Sequence, residues 1–477
     1  MLRTPLPPEP LSPSQYGIGV EGGMRASQIE GMTSITIKDL FPKSPSSLFE
    51  EGKNLHRIRV LTEASLDKVD LSKIQKKDSV NILASHHSFT LYGGVPYVEM
   101  LKAIREFLQR RTGAYDIRLR VGGGLRFKEP EEIIKRFNLQ EYFEGKAAAM
   151  APIDRGIRIE TNLGRVYGLR KAYDADWIVH THNTSMREVH FHRFMDRIFK
   201  SFSMSYARLE TRSSYHHNFG PRGANAIGRA IVNSELVRNK LVFSTILKYF
   251  PGSIAGVDTD EDMGRQSDRL TAECLREYGK VLNLFRKIDR CIVILDCPGP
   301  IPYASAGGLI FANFVSANID QFDLDNPITP YSYFTEMAFD KNSVPLFGGV
   351  PEMNPAIKIV INNYSFKGYP STFFAERVPT IVVGEKLAGL FRNCPQNSEY
   401  MSHTLLADNL KGALEFAGRV SGTDQVVIFD GARAGFNGSP SFINFLKKNA
   451  REAEKEMLLN FLPKWLKQRG IAAEKGV

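Results

Sequence analysis

The sequence predicts an α/β protein built from two Rossmann-like domains with mostly parallel sheets, and an active-site crevice between them. Three observations lead there. Short apolar runs alternate along the chain with segments of helical periodicity, as in "DSVNILASHHSF" followed by "VPYVEMLKAIREFLQRR". At 477 residues the chain exceeds what a single core usually accommodates. Polar and glycine-rich stretches follow several apolar runs directly, which is where open α/β sheets gather ligands.

Each element follows from its residues. "YDIRLRVGGGLRFKEPEEIIKRF" reads as a strand, a glycine loop, and a helix opened by Pro130 and glutamates. "GIRIETN" and "GRVYGL" read as short strands or a hairpin, and "DADWIVHTHN" as a buried strand. "SDRLTAECLREYGKVLNLFRKI" has the spacing of a long amphipathic helix, and "RCIVILDC" opens a second α/β region. "AIKIVINNY", "PTIVVGE" and "DQVVIFDG" supply its further strands, and a helix from "PSFINFLKKNAREAEKE" onward closes the chain. The expected division is 1–32 as a disordered tail, 33–290 as a first α/β domain carrying cofactor and catalysis, and 291–477 as a second α/β domain. The tail is expected because "MLRTPLPPEPLSPSQ" is rich in proline and lacks the apolar core of a secretory signal.

Composition excludes several classes. A hydrophobic content of 43% and a charged content of 24% are ordinary for a globular protein, and no run of 18 apolar residues suggests a membrane span. The formal charge is +10 and the pI is about 9.2, but the basic residues are dispersed among acids, without a nucleic-acid-binding module. A positive field attracting a small anionic substrate is the preferred reading, with no nucleic-acid partner. Cys274, Cys291, Cys297 and Cys394 show no metal-binding or disulfide spacing, so a reducing cytoplasmic setting is expected. Self-association into a homo-oligomer is left open.

Some loops invite and then resist a functional reading. "VGGGLRF" (Gly122, Gly123, Gly124) sits between strand and helix, where backbone N–H groups can hold a phosphate, but it matches neither dinucleotide nor Walker patterns. "DTDEDMG" places its glycine seventh and no closing glutamate, so a solvated acidic loop is favoured over a calcium loop.

The histidines are unevenly spread. Six of ten (His180, His182, His190, His192, His216, His217) fall between residues 180 and 217. Histidine suits both proton transfer near neutral pH and metal ligation. His190 precedes Lys200 by ten residues, and His216 follows it by sixteen.

This pattern resembles the nickel-dependent lactate racemase family, in which the segment reads K-S-x5-A-x2-E-T-x4-H. Lys200-Ser201, Ala207, Glu210-Thr211 and His216 match each position. The resemblance implies a nickel-pincer nucleotide, a pyridinium mononucleotide tethered to Lys200, with His216 as nickel ligand and His190 as catalytic base. It further implies cofactor-biosynthesis enzymes as partners, and racemase or epimerase chemistry by hydride transfer on an α-hydroxy acid or sugar acid. The chain also departs from the family. Leu125 stands where a G-T-H-R segment carries the second catalytic histidine, and "SHHSF" (Ser85 to Phe89) replaces a D-x-T-R-P loop. His86 or His87 is the candidate substitute base. Arg126, Arg187 and Arg193 are candidate carboxylate clamps. The alternative is a non-catalytic relative that keeps the fold and binds the cofactor or nickel without turnover.

Overall fold

A computed structural model describes residues 20–472 except 22, 50–52, 124–127, 185–196, 215–219, 252, 297–313, 316–319, 321, 326–351, 366–371, 394–398, 431 and 433. The strands in chain order are β1 (Val20–Glu21), β2 (Thr33–Thr36), β3 (Ser79–Ser85), β4 (Asp116–Gly122), β5 (Ala147–Met150), β6 (Gly156–Thr161), β7 (Gly164–Leu169) and β8 (Trp177–Asn183). They continue with β9 (Leu241–Phe250), β10 (Ser253–Asp260), β11 (Cys291–Asp296), β12 (Ile357–Ser365), β13 (Thr380–Val383), β14 (Thr404–Ala407), β15 (Val426–Phe429) and β16 (Gly435–Gly438).

Two sheets result, both α/β and mostly parallel, as the alternation of strand and helix requires. The first has the order β10-β9-β8-β3-β4-β5 and is parallel except at β10. The second has the order β14-β13-β12-β11-β15-β16-β2, with β1 also pairing β12; the five strands from β14 to β15 are parallel. The central strands are covered on both faces: every residue of β3 and of β11 is buried. β6 and β7 form the separate hairpin their sequence suggested.

The helix Val95–Thr112 shows how the pattern becomes structure. Tyr97, Met100, Leu101, Ile104 and Leu108 recur at three- and four-residue intervals and are all buried. Gly113 ends the helix at φ 71°, with its N–H on the carbonyl of Gln109.

The expected tail ends earlier than residue 32. Val20–Glu21 pairs antiparallel with Ser365 and Tyr364 of β12, and β2 pairs with β16. Arg25 reaches Asp296 at 3.0 Å, and Ala26 is fully buried. Residues 20–36 therefore complete the second sheet before the chain builds the first. The proline-rich composition that suggested disorder belongs to residues 1–15, outside the described residues.

The helix Met263–Arg286 joins the two cores. Asp262 caps its first turn by accepting from the N–H groups of Gly264 and Arg265. Met263 and Leu270 pack with the first sheet's apolar cluster, whereas Leu275, Tyr278, Val281 and Phe285 pack into the second's. The strand-to-helix passage "DTDEDMG" is not a solvated loop: Asp258 and Asp260 lie on β10, where Arg265 and Arg269 neutralise them. No helix among the described residues is long and apolar enough to cross a membrane.

Lys280, 3% exposed, pairs with Glu277 at 3.0 Å and with Glu454 of the helix Pro440–Glu456 at 3.3 Å. Removing one member of a buried pair strands the others' charge, which costs about 3–5 kcal/mol. Lys280→Ala is expected to lose stability on that scale in denaturant unfolding. Lys280→Ala unfolding at the parent's midpoint would contradict this assignment.

Candidate functional site

Two strand ends of the first sheet and the end of the β6–β7 hairpin meet one returning loop. The helix Arg197–Ser203 carries Lys200, which is half-buried. Its carbonyl accepts from the Met204 N–H at 3.0 Å and from the Ser203 hydroxyl at 3.1 Å, closing the helix. The chain then turns back across the sheet. Ser205 Oγ lies 2.7 Å from Ser85 Oγ at the end of β3, both buried. At the end of β4, a Cβ on Gly122 would stand 2.2 Å from the carbonyl oxygen of Ser205, so only glycine admits this approach. Against β7, the carbonyl of Tyr206 accepts from Leu169 N–H at 2.8 Å.

The residues of the matched motif shape this turn. Ser201 and Ala207 are buried within it. Thr211 Oγ1 accepts from the Tyr167 N–H at 2.7 Å and donates to the Tyr167 carbonyl at 3.0 Å, pinning the helix Leu209–Ser214 to β7. Glu210 makes a surface pair with Arg208 at 2.9 Å. His190 and His216, with Gly124, Leu125, Arg126, Arg187 and Arg193, lie outside the described residues.

The two histidines after β3 occupy different environments. His86 is buried; its Nδ1 is 3.3 Å from the carbonyl oxygen of Gly122, and its Nε2 is 3.5 Å from Glu129 Oε2. The ring is therefore held from both sides. His87 is half-buried and lies against His86, the two rings tilted by 44° with centroids 3.8 Å apart. Its N–H donates to Ser85 Oγ at 3.4 Å, which ties it to the hydroxyl that holds Ser205. Asn183, at the end of β8, donates to the carbonyl of Ser88 at 2.9 Å, so the β8 end fixes the same turn.

His180 and His182 belong to β8 itself rather than to a loop. His180 is fully buried against Phe202 and Tyr206, with Nδ1 3.4 Å from the Tyr206 hydroxyl. Burial pushes its pKa down to about 3, so it is a neutral imidazole near pH 7. His182 Nδ1 lies 2.8 Å from the backbone N–H of Asn183.

The glycine loop behaves otherwise than expected. Gly122 is required for the close packing of Ser205, and the Gly123 N–H donates to the Met150 carbonyl at 3.2 Å. An amide spent on a strand neighbour does not cradle a phosphate. The carbonyl of Gly123 accepts from Arg212 Nη2 at 3.0 Å, while Arg212 Nε donates to Ala207 at 2.9 Å. Arg212 is buried, which pushes its pKa down to about 9. Sequence reasoning missed both Arg212 and Glu129. The available signals were an arginine directly after the Glu-Thr pair and an acid five residues after Gly124. Among the described residues, no group of three His, Cys, Asp or Glu side chains is placed to hold a metal.

His180 is expected to stay neutral down to about pH 4, and its ring resonances should not titrate in NMR spectra between pH 5 and 8. A midpoint near the free-imidazole value, about 6.5, would show that the site is more open than described. Because the folded pKa is depressed, this residue's contribution to stability is complete above about pH 6.5 and declines as pH falls toward 3.

No protein-family model matches this chain, and no curated protein matches it. The family resemblance rests on the residues of the Lys200 segment and its flanks.

Proposed function

We propose that the strand-end crevice of the first sheet is a catalytic site of the lactate racemase type, acting on a small anionic α-hydroxy acid or sugar acid. The observation that carries this reading is the seating of the Lys200 turn. Ser205, five residues after Lys200, contacts the ends of both β3 and β4, while Phe202 and Tyr206 pack on His180 of β8. Ligands of open α/β sheets bind beyond such strand ends.

A half-buried lysine five residues before the strand-end contacts of Ser205 suits the tether of a nickel-pincer nucleotide. When bound, that group supplies a hydride acceptor. Lys200 would hold it, and His216 is the proposed nickel ligand by resemblance. The Gly123 amide does not fit a phosphate cradle, so the nucleotide's phosphate is not assigned to this loop.

The chain's own residues divide the remaining tasks. Oxidation at the hydroxyl-bearing carbon requires a base to take the hydroxyl proton. His87 is the candidate on the β3 side, because it is half-buried and backed by His86. His86 is a positioning residue, clamped by Gly122 and Glu129. His180 is too depressed in pKa to act as a base near neutrality. Arg212 places a buried positive charge beside Gly123, which favours an anionic substrate. The second reading, a non-catalytic relative, is favoured by one specific observation: the Gly123 amide is committed to the sheet.

Protein co-expressed with the cofactor-biosynthesis enzymes and nickel is expected to carry a covalent adduct. Peptide mapping should place it on Lys200, and Lys200→Ala should lack it. In the same preparation, His87→Ala should slow turnover by about 10²–10⁴-fold, the usual worth of a positioned acid or base. Full activity with an unmodified Lys200 would remove the tether, and an undiminished His87→Ala would remove the base. An adducted but inactive parent would favour the non-catalytic relative.

A further inference from the structure

The second sheet gathers buried polar side chains at one end. From β11 the chain adds β12, β13 and β14 on one side, then returns to β15 on the other. The C-terminal ends of β11 and β15 thus mark the point where strand order reverses, the usual ligand position in such sheets. Asp296 ends β11, and Asp430 follows β15 directly. Leu295 and Phe429 are paired in register, so the two aspartates stand side by side one step beyond the ladder. Both are buried, as are Asn363 of β12 and Asn437 of β16.

Most polar atoms in this cluster are paired, and one buried oxygen is not. Asp296 Oδ2 accepts from Arg25 Nε and from the Ala26 N–H, each at 3.0 Å, and Arg25 also reaches the Asp296 carbonyl. Asp296 Oδ1 accepts from Asn363 Nδ2 at 2.8 Å, and the same amide nitrogen donates to the Met24 carbonyl at 2.9 Å. Asp430 accepts from the Ala432 N–H at 2.9 Å and from Asn437 Nδ2 at 2.7 Å. The side-chain amide donors are used. The Asn363 Oδ1 is not: it is fully buried, belongs to an amide lying directly on Asp296, and has no hydrogen-bond partner. An orphaned buried carbonyl is costly unless something meets it.

The charge balance points the same way. Arg25 offsets one carboxylate, and among the described residues Asp430 has no cation partner. Among the described residues the cluster sets two carboxylates and the unpaired Asn363 oxygen against one cation, Arg25. Carboxylate and amide oxygens together suit a small hard cation, which commonly uses one or two carboxylates and completes its sphere with water.

We propose that Asp430, Asp296 and the Asn363 carbonyl oxygen bind a divalent cation, magnesium or manganese, at the C-terminal end of the second sheet. This site is independent of the Lys200 reading and stands or falls separately.

Manganese titrated into the full chain, followed by the loss of the free-ion electron paramagnetic resonance signal, tests the proposal. One ion per chain, displaced by magnesium, is expected. Asp430→Asn keeps the side chain's shape and should weaken binding by roughly tenfold or more. Asn363→Leu removes the orphaned oxygen and should also weaken it. Circular dichroism of each variant separates lost binding from lost folding. A parent chain that leaves the free-ion signal unchanged overturns the proposal. So does tight binding that survives in folded Asp430→Asn.

Discussion

The approach of Ser205 to Gly122 is the constraint on which the first crevice depends. A side chain at Gly122 would collide with backbone, not with a movable side-chain end, so no rotamer relieves it. With glycine there, the turn after Lys200 drops onto the ends of β3 and β4, and the Ser85–Ser205 hydroxyl pair locks it. The remaining contacts follow from that seating. Arg212 then reaches the carbonyls of Gly123 and Ala207, and Thr211 clips the next helix to β7. The same Gly122 carbonyl holds His86. One absent methyl group thus sets the positions of the lysine, the two histidines and the buried arginine together.

The two sheets use a shared architecture differently. Around the first, polar groups at the strand ends come from within one stretch of chain, between residues 85 and 212. Around the second, Asp296 is satisfied by Arg25 and Ala26, some 270 residues away. The N-terminal segment therefore acts as a fastening for the second sheet. The helix Met263–Arg286 couples the two cores through continuous backbone, and its buried Lys280 ties it to the closing helix.

Local pattern made the central strands and long helices legible. β3 pairs with β4, the next strand along the chain, and with β8 beyond the β6–β7 hairpin, and the helix Val95–Thr112 repeats its buried positions at helical spacing. Residues 20–36 were not legible, because two short strands gain their identity only from partners more than 340 residues away. Asp258 and Asp260 were read as loop because their charge was visible, while the arginines that neutralise them lie on the following helix. The site was legible as a neighbourhood but not in its roles. His86 and His87 are identical in sequence terms, and only Glu129 and Gly122 separate a clamped ring from a half-buried one. Glycine's role at position 122 is a matter of what approaches it, which sequence cannot display.

Gly122→Ala tests the central constraint most directly, read by hydrogen exchange across residues 200–212 together with denaturant unfolding. Faster exchange confined to that turn is expected, with a stability loss of about 1–3 kcal/mol, the usual scale for overpacking. Exchange and stability equal to the parent's would contradict the account, because the turn would then not rest on Gly122.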